Sequence, residues 1–184
     1  MENGLAGGDR GEMERILNEE TLGYVGLCSD GEPYVIPVNY VYTDGTIVFH
    51  GSFTGKKNDF IRANPRACFV VGRQTGEVRD HAGATSCHID NDSVICYGTA
   101  RLVENVEERW ATLNAFNRRF HPETDGIARE RAEKCCVVEI RITEMTGRVE
   151  RDRSYRRMRH VFAGDDSDTP AAEEMGGSAV DCGD

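Results

Sequence analysis

The feature that most constrains the fold is a series of short strand-like segments with few helices between them. The strongest turn signal is Asp44-Gly45, because glycine accepts the positive φ of a tight hairpin turn at no steric cost. This turn predicts that residues 33–43 and 46–50 pair as antiparallel strands. The remaining predicted strands are residues 22–28, 66–71, 93–103 and 135–142. Together they predict a mainly β fold, a small antiparallel barrel with peripheral helices.

The predicted helices lie outside this barrel. They are residues 13–20, 56–63, 106–120 and 128–134. The third is the strongest, and its apolar stripe of Trp110, Leu113, Phe116 and Phe120 is interpreted as core packing. The polar, aperiodic residues 75–92 are expected to form a long loop, and Gly98 is expected to mark a bulge or a close backbone approach.

Composition narrows the functional classes. The net charge of -10 argues against binding to nucleic acid or to an anionic membrane surface. The sequence shows no signal peptide and no apolar run of membrane-spanning length. The seven cysteines form no CxxC pair. We therefore expect a cytoplasmic protein with free thiols.

Charge and glycine content suggest the domain organisation. Residues 1–11 are glycine-rich and are expected to be a disordered tail. Residues 12–150 form the predicted domain, and an arginine-rich extension follows at 151–162. In residues 163–184 the only charges are acidic, and this segment is expected to be a second disordered tail.

The segment that points to chemistry is residues 33–57, PYVIPVNYVYTDGTIVFHGSFTGKK. Its second strand runs into a small-residue loop with hydroxyls at Ser52 and Thr54, and the loop opens a helix that begins Lys56-Lys57. Backbone N–H groups and the helix dipole complete a plausible monophosphate site. The alternative, that both lysines are solvated first-turn residues, stays open. Pro37 inside a strand indicates an edge, a bulge or a break, because proline cannot donate to a ladder.

These residues carry a family resemblance. The runs PYVIPVNYVY, IVFHG, GKK and ANPRACFVV, and later VVEIRITEMTG, resemble the pyridoxamine 5'-phosphate oxidase-related flavoproteins, and most closely the nitroimidazole-resistance (Nim-type) branch. The resemblance covers about residues 12–150. It implies a six-stranded antiparallel split β-barrel that forms a homodimer and binds FMN at the subunit interface.

The resemblance also implies site residues. Those expected to bind FMN are Val35, Ile36, Pro37, Val38, Asn39, His50, Gly51, Ser52, Lys56 and Lys57. Residues 35–39 would lie along the flavin ring and ribityl chain, residues 50–52 would begin the phosphate loop, and the two lysines would hold the phosphate. His50 is also the candidate catalytic residue, since histidine titrates near neutral pH. Its alternative is a strand-end histidine hydrogen-bonded to backbone.

Two functional hypotheses follow. The first is an FMN-dependent oxidoreductase that reduces a small electron-poor acceptor such as a nitroaromatic or a quinone. The second is a non-catalytic flavin- or haem-binding stress or sensor protein, with His50 or His88 as an axial ligand. The arginine- and histidine-containing substrate motif of true pyridoxamine-phosphate oxidases is missing, which argues against vitamin B6 oxidation.

Other clusters carry weaker signals. One cluster resembles a set of metal ligands but matches no standard zinc spacing, so no metal site is predicted; its members are His81, Cys87, His88 and Asp90. Cys87 is the candidate redox cysteine, because it lies where the resemblance resumes after the polar segment.

Overall fold

The computed structural model describes residues 6–79, 88–151 and 154–163. Within these ranges, eight antiparallel strands form one sheet and four helices lie outside it. The strands are β1 Leu22–Ser29, β2 Glu32–Asn39, β3 Val41–Thr43, β4 Thr46–Gly51, β5 Arg66–Arg79, β6 His88–Leu102, β7 Cys136–Arg151 and β8 Ser154–Val161. The helices are α1 Ala6–Glu19, α2 Lys56–Ala63, α3 Val106–Phe120 and α4 Arg129–Glu133. None of these helices is long and apolar enough to cross a membrane.

The order of the strands curls the sheet into a barrel whose two end strands, β2 and β3, are not neighbours in the hydrogen-bonded order. The hydrogen-bonded order is β2-β1-β5-β6-β7-β4-β3, with β8 added to β7. β2 and β3 stand at opposite ends of this order, yet only Tyr40 separates them along the chain. The two ends of the sheet therefore meet at Tyr40. The predicted mainly β architecture with peripheral helices is confirmed.

Tyr40 divides what the sequence predicts as one strand over residues 33–43. Its side chain is 1% exposed, and its ring packs edge-on against Phe69 with the centroids 4.6 Å apart. The hydroxyl donates to the Leu17 carbonyl of α1 at 2.7 Å. The chain turns inward here because this large side chain fills the barrel core and finds a buried acceptor there.

β8 is a strand that the sequence does not predict, since residues 151–162 read only as an arginine-rich extension. It pairs with β7 along its whole length, from Ser154 opposite Arg151 to Val161 opposite Glu144. Met158 is its one buried residue, so its sequence has almost no apolar alternation. Its place in the sheet depends on the backbone ladder.

The prediction of a long loop over residues 75–92 is wrong. β5 continues to Arg79 and β6 begins at His88, so most of the segment forms two arms of a hairpin. Asp92, one of its polar residues, is buried and paired: its carboxylate accepts from Arg73 at 3.1 Å and lies 2.7 Å from Arg151. Residues 80–87, which include His81 and Cys87, lie outside the described residues.

The N-terminal helix begins earlier than predicted. The sequence predicts a helix from residue 13 and a disordered tail before it, whereas α1 begins at Ala6. Arg156 of β8 pairs with Asp9 at 2.5 Å and also with Glu12. Met13 is fully buried. The glycines in this stretch lower helix propensity, and these tertiary contacts compensate for it.

Gly98 confirms the predicted close approach. The register of β6 on β7 shifts between Tyr97 and Gly98, which marks a bulge. A Cβ added at Gly98 would overlap the backbone carbonyl of Arg141. Only glycine lets the two strands approach this closely.

Candidate functional site

A cleft of about 1010 Å³ opens between the end of β2 and the helices α3 and α4. Pro37, Val38 and Asn39 form one wall, which we call the strand wall. His50 lies between the walls, at the end of β4. The opposite wall, which we call the helix wall, consists of Leu113, Phe116, Asn117, Phe120, Arg131 and Lys134. The volume is typical of small-molecule sites, which measure about 300–1000 Å³.

The strand wall is a sheet edge, as Pro37 predicts. β2 pairs with β1 on one side and ends the strand order on the other, with Pro37 opposite Tyr24. Val35, Pro37 and Asn39 face outward and are exposed, whereas Ile36 and Val38 turn toward the core. The edge therefore presents a largely apolar surface, formed by Val35 and Pro37, along which a planar ring can lie.

His50 has a perturbed environment. Its ring meets the Phe116 ring edge-on with the centroids 4.8 Å apart. The imidazole is exposed to the cleft, yet partial desolvation lowers the pKa of His50 below its usual value. The neutral imidazole therefore dominates at neutral pH, and one ring nitrogen can donate a hydrogen bond while the other accepts one.

The loop before α2 is held from below by a buried asparagine. Asn58 is fully buried, and its amide Nδ2 donates to the Ser52 carbonyl at 3.0 Å. Its Oδ1 accepts a hydrogen bond from Lys57 Nζ at 2.7 Å, and Lys57 Nζ also donates to the Ser52 carbonyl at 3.1 Å. Gly55 caps α2 at φ 118° without a side-chain hydrogen bond to the first turn. The N–H of Asn58 donates to the Gly55 carbonyl at 3.0 Å, so the N–H groups of Lys56 and Lys57 are the ones that remain available to an anion.

The two predicted phosphate lysines point in different directions. Lys57 is fixed against the loop carbonyl, as described above. Lys56 forms an ion pair with Glu32 and lies over the rings of Tyr34 and Phe60 at 5.3 and 5.2 Å. Lys56 is thereby neutralised at the start of β2, and Lys57 is the lysine that adjoins the loop.

The predicted residues divide into two neighbouring groups. Pro37, Val38, Asn39 and His50 line the cleft. The cleft lining does not include Val35, Ile36, Gly51, Ser52, Lys56 or Lys57. Cys135 joins the groups, because it lines the cleft and its Sγ lies 3.8 Å from the Gly51 carbonyl. Burial raises the pKa of this thiol, so it stays protonated.

The helix wall is what the sequence analysis missed. The sequence predicts that the apolar stripe of α3 packs in the core, and this prediction is wrong for most of the stripe. Leu113 is 6% exposed, but Trp110 is 37% exposed and Phe116 and Phe120 border the cleft. The Phe116 and Phe120 centroids are 4.9 Å apart. An apolar helical stripe predicts one covered face without showing whether protein or ligand covers it.

Comparison with known proteins identifies the family. The sequence profile of the pyridoxamine 5'-phosphate oxidase family matches residues 9–149. The chain belongs to this family. A curated relative, an uncharacterized protein from Rhizobium meliloti, is 28% identical over 90 residues, which are 43% of this chain and 59% of that protein. The match thus spans less than two thirds of the relative's length.

Solved structures share the fold. A candidate 5-nitroimidazole antibiotic resistance protein from Bacteroides thetaiotaomicron superposes with a TM-score of 0.68 at 22% identity, over 82% of this chain and 86% of that one. A flavocytochrome from Azotobacter vinelandii superposes with a TM-score of 0.70 at 18% identity, over 90% and 86%. At these identities the likeness shows the fold alone, and the chain has the split-barrel fold of its family.

Proposed function

We propose that this protein binds FMN along the strand wall, with the phosphate at the loop before α2. The observation that carries the proposal is the placement of an exposed sheet edge and His50 next to a loop whose helix N-terminus lacks a side-chain cap. Lys57, held beside that loop by neutral partners, adds a positive charge for the phosphate. Family membership supports the same assignment.

A homodimer is part of this proposal. The outward face of β2, β1, β5 and β6 exposes Val35 by 63%, Leu22 by 48%, Tyr97 by 45% and Tyr24 by 44%. The strand register makes this face continuous, since Tyr24 lies beside Pro37 and Val70. A contiguous apolar patch of this kind marks an interaction surface. A second copy on this face would stand beside the strand wall and complete the flavin site.

The proposed reaction is the reduction of a small electron-poor acceptor. The chemistry that FMN supplies when bound is two-electron transfer. With a reduced nicotinamide as donor, the donor gives up two electrons and one proton, and the acceptor gains two electrons and two protons. The second proton comes from solvent, and His50 is the residue placed to relay it. The lowered pKa of His50 makes its protonated form a good donor that becomes scarce as pH rises.

The test is titration of the purified protein with FMN, in which binding is measured from the change in the flavin absorption bands. Lys57→Ala should weaken FMN binding by about 10- to 100-fold, the value of one charge-assisted contact of roughly 1.5–3 kcal/mol. Arg62→Ala is the matched control, because Arg62 is an exposed cation on the same helix that pairs with Asp59. A protein that stays colourless and does not respond to FMN would remove the proposal.

The dimer is tested by light scattering during gel filtration. Val35→Glu places a charge on the exposed apolar face and should yield a monomer with weakened FMN binding. A wild-type protein that is monomeric at micromolar concentration contradicts the shared site.

Haem binding is the second candidate. His50 and His121 line the same cleft, and neutral imidazole is the form that ligates iron. One structural neighbour is a flavocytochrome. A Soret band after haemin titration that disappears in His50→Ala supports this candidate, whereas a spectrum of free haemin argues against it.

A further inference from the structure

The helix wall carries two cations without a carboxylate partner among the described residues. Arg131 and Lys134 both line the cleft and are both exposed. Their neighbour Arg129, on the same short helix, pairs with Glu107 and with Glu133 at 3.1 Å. The two cleft-lining cations therefore concentrate positive charge on this wall.

Aromatic rings lie on the same wall. Phe116 contacts His50 at 4.8 Å and Phe120 at 4.9 Å between centroids, so three rings follow one another across the cleft. Rings in this spacing offer offset-stacked or edge contacts to a further planar molecule. The strand wall, by contrast, contributes no charged side chain to the cleft lining.

The cleft extends from the strand wall to the helix wall. Its volume of about 1010 Å³ lies at the upper end of the range for one drug-sized molecule. A flavin along the strand wall leaves room on the side of the helices, and that is the side on which the rings and the cations lie.

We propose that the helix wall is the acceptor subsite, and that it selects planar, electron-poor aromatic compounds that carry an anionic group. The rings of Phe116 and Phe120 contact the aromatic plane, and Arg131 and Lys134 bind the anion. As an acceptor site this rests on the proposed function, but the binding of the aromatic anion does not depend on flavin and can be measured separately.

The experiment compares 4-nitrobenzoate with its neutral methyl ester by calorimetry and by quenching of Trp110. Trp110 is the only tryptophan, and its indole Nε1 donates to the carbonyl of the cleft residue Ile127 at 2.9 Å. The wild type should bind the anion at least about 10-fold more tightly than the ester, since one charge-assisted contact supplies this ratio. The double variant Arg131→Gln/Lys134→Gln should lose the preference and still bind the ester.

Arg129→Gln is the matched control, because it removes a cation from the same helix that is already paired. It should keep the preference. Phe116→Ala should weaken both ligands while leaving their ratio unchanged. Thermal unfolding of each variant shows whether it folds.

Four outcomes overturn the proposal, and the first three are binding of neither ligand, equal binding of both, and a preference that survives in the double variant. A double variant that loses FMN affinity but keeps riboflavin affinity also overturns it, because the cations then serve the cofactor phosphate. Failure of the flavin proposal is a different result: FMN does not bind, while the charge-dependent binding of 4-nitrobenzoate remains.

Discussion

Asn58 connects helix α2 to the proposed phosphate loop, and its replacement by alanine tests that connection. The side chain is fully buried, donates to the Ser52 carbonyl at 3.0 Å and accepts from Lys57 Nζ at 2.7 Å. Asn58→Ala removes both hydrogen bonds and a weak contact from Cys136 Sγ to Oδ1 at 3.9 Å, and it leaves a void where the amide was. It also leaves the Ser52 carbonyl with Lys57 as its remaining partner.

The magnitude follows from these contacts. The neutral hydrogen bond contributes about 1 kcal/mol, and the bond from the ammonium group about 1.5 kcal/mol, the lower end for a charged donor that is partly exposed. Loss of both should lower the free energy of unfolding by about 2–3 kcal/mol. For a chain of this size that corresponds to a decrease in Tm of about 4–12 °C. Because Lys57 loses its fixed position, FMN binding should also weaken.

The measurements are thermal unfolding without ligand and FMN titration of the same samples. Asp59→Ala is the matched control: it is the next residue on α2, is exposed, and pairs only weakly with Arg62 at 3.5 Å. Its effect should remain below about 0.5 kcal/mol. If Asn58→Ala unfolds at the wild-type temperature and binds FMN with unchanged affinity, the assignment of Asn58 as the support of the loop is wrong.

Three further predictions concern the barrel and the cleft. Gly98→Ala should lower the free energy of unfolding by about 1–3 kcal/mol, because the added Cβ overlaps the Arg141 carbonyl of β7. Gly72→Ala is the control: its Cβ would lie 3.8 Å from the nearest atom, the Asp92 carbonyl oxygen, and should leave stability in denaturant titrations nearly unchanged. Tyr40→Phe should cost about 1–2 kcal/mol in the same assay, since a buried α1 carbonyl loses its donor. By NMR, His50 should titrate below its usual pKa, and Phe116→Ala should raise that pKa by admitting water. Because the unfolded chain binds this proton more readily, protonation of His50 lowers the free energy of unfolding as pH falls through the usual histidine pKa. A normal pKa for His50 would show that the cleft is fully hydrated.

Local signals in the sequence predicted the parts of the fold that depend on neighbouring residues. Asp44 and Gly45 both take positive φ, 42° and 77°, as a tight hairpin turn requires. The predicted boundaries of the helices at residues 56–63 and 106–120 agree with α2 and α3. In each case the turn or capping residues lie within the element or beside it.

Elements that depend on distant partners were not predictable in the same way. β8 has one buried residue, and its remaining contacts are its pairing with β7 and ion pairs to α1 such as Arg156 with Asp9. The arms of the β5–β6 hairpin look polar in sequence, yet two of their charged residues, Arg73 and Asp92, form an ion pair between neighbouring strands. Periodicity reports which residues are apolar, but it does not report which polar residues meet a partner.

The candidate site also has one part that local sequence signals predict and one part that depends on residues distant in sequence. The strand wall comes from residues 33–57, a contiguous segment whose motifs carry the family resemblance. The helix wall comes from α3, α4 and Lys134, which follows α4. These residues lie in 106–134, between the recognisable motifs, and folding alone brings them opposite the strand. The sequence motifs therefore bear on the proposed cofactor segment. The proposed acceptor subsite of Phe116, Arg131 and Lys134 emerges only from the fold, because no motif links these residues to residues 33–57.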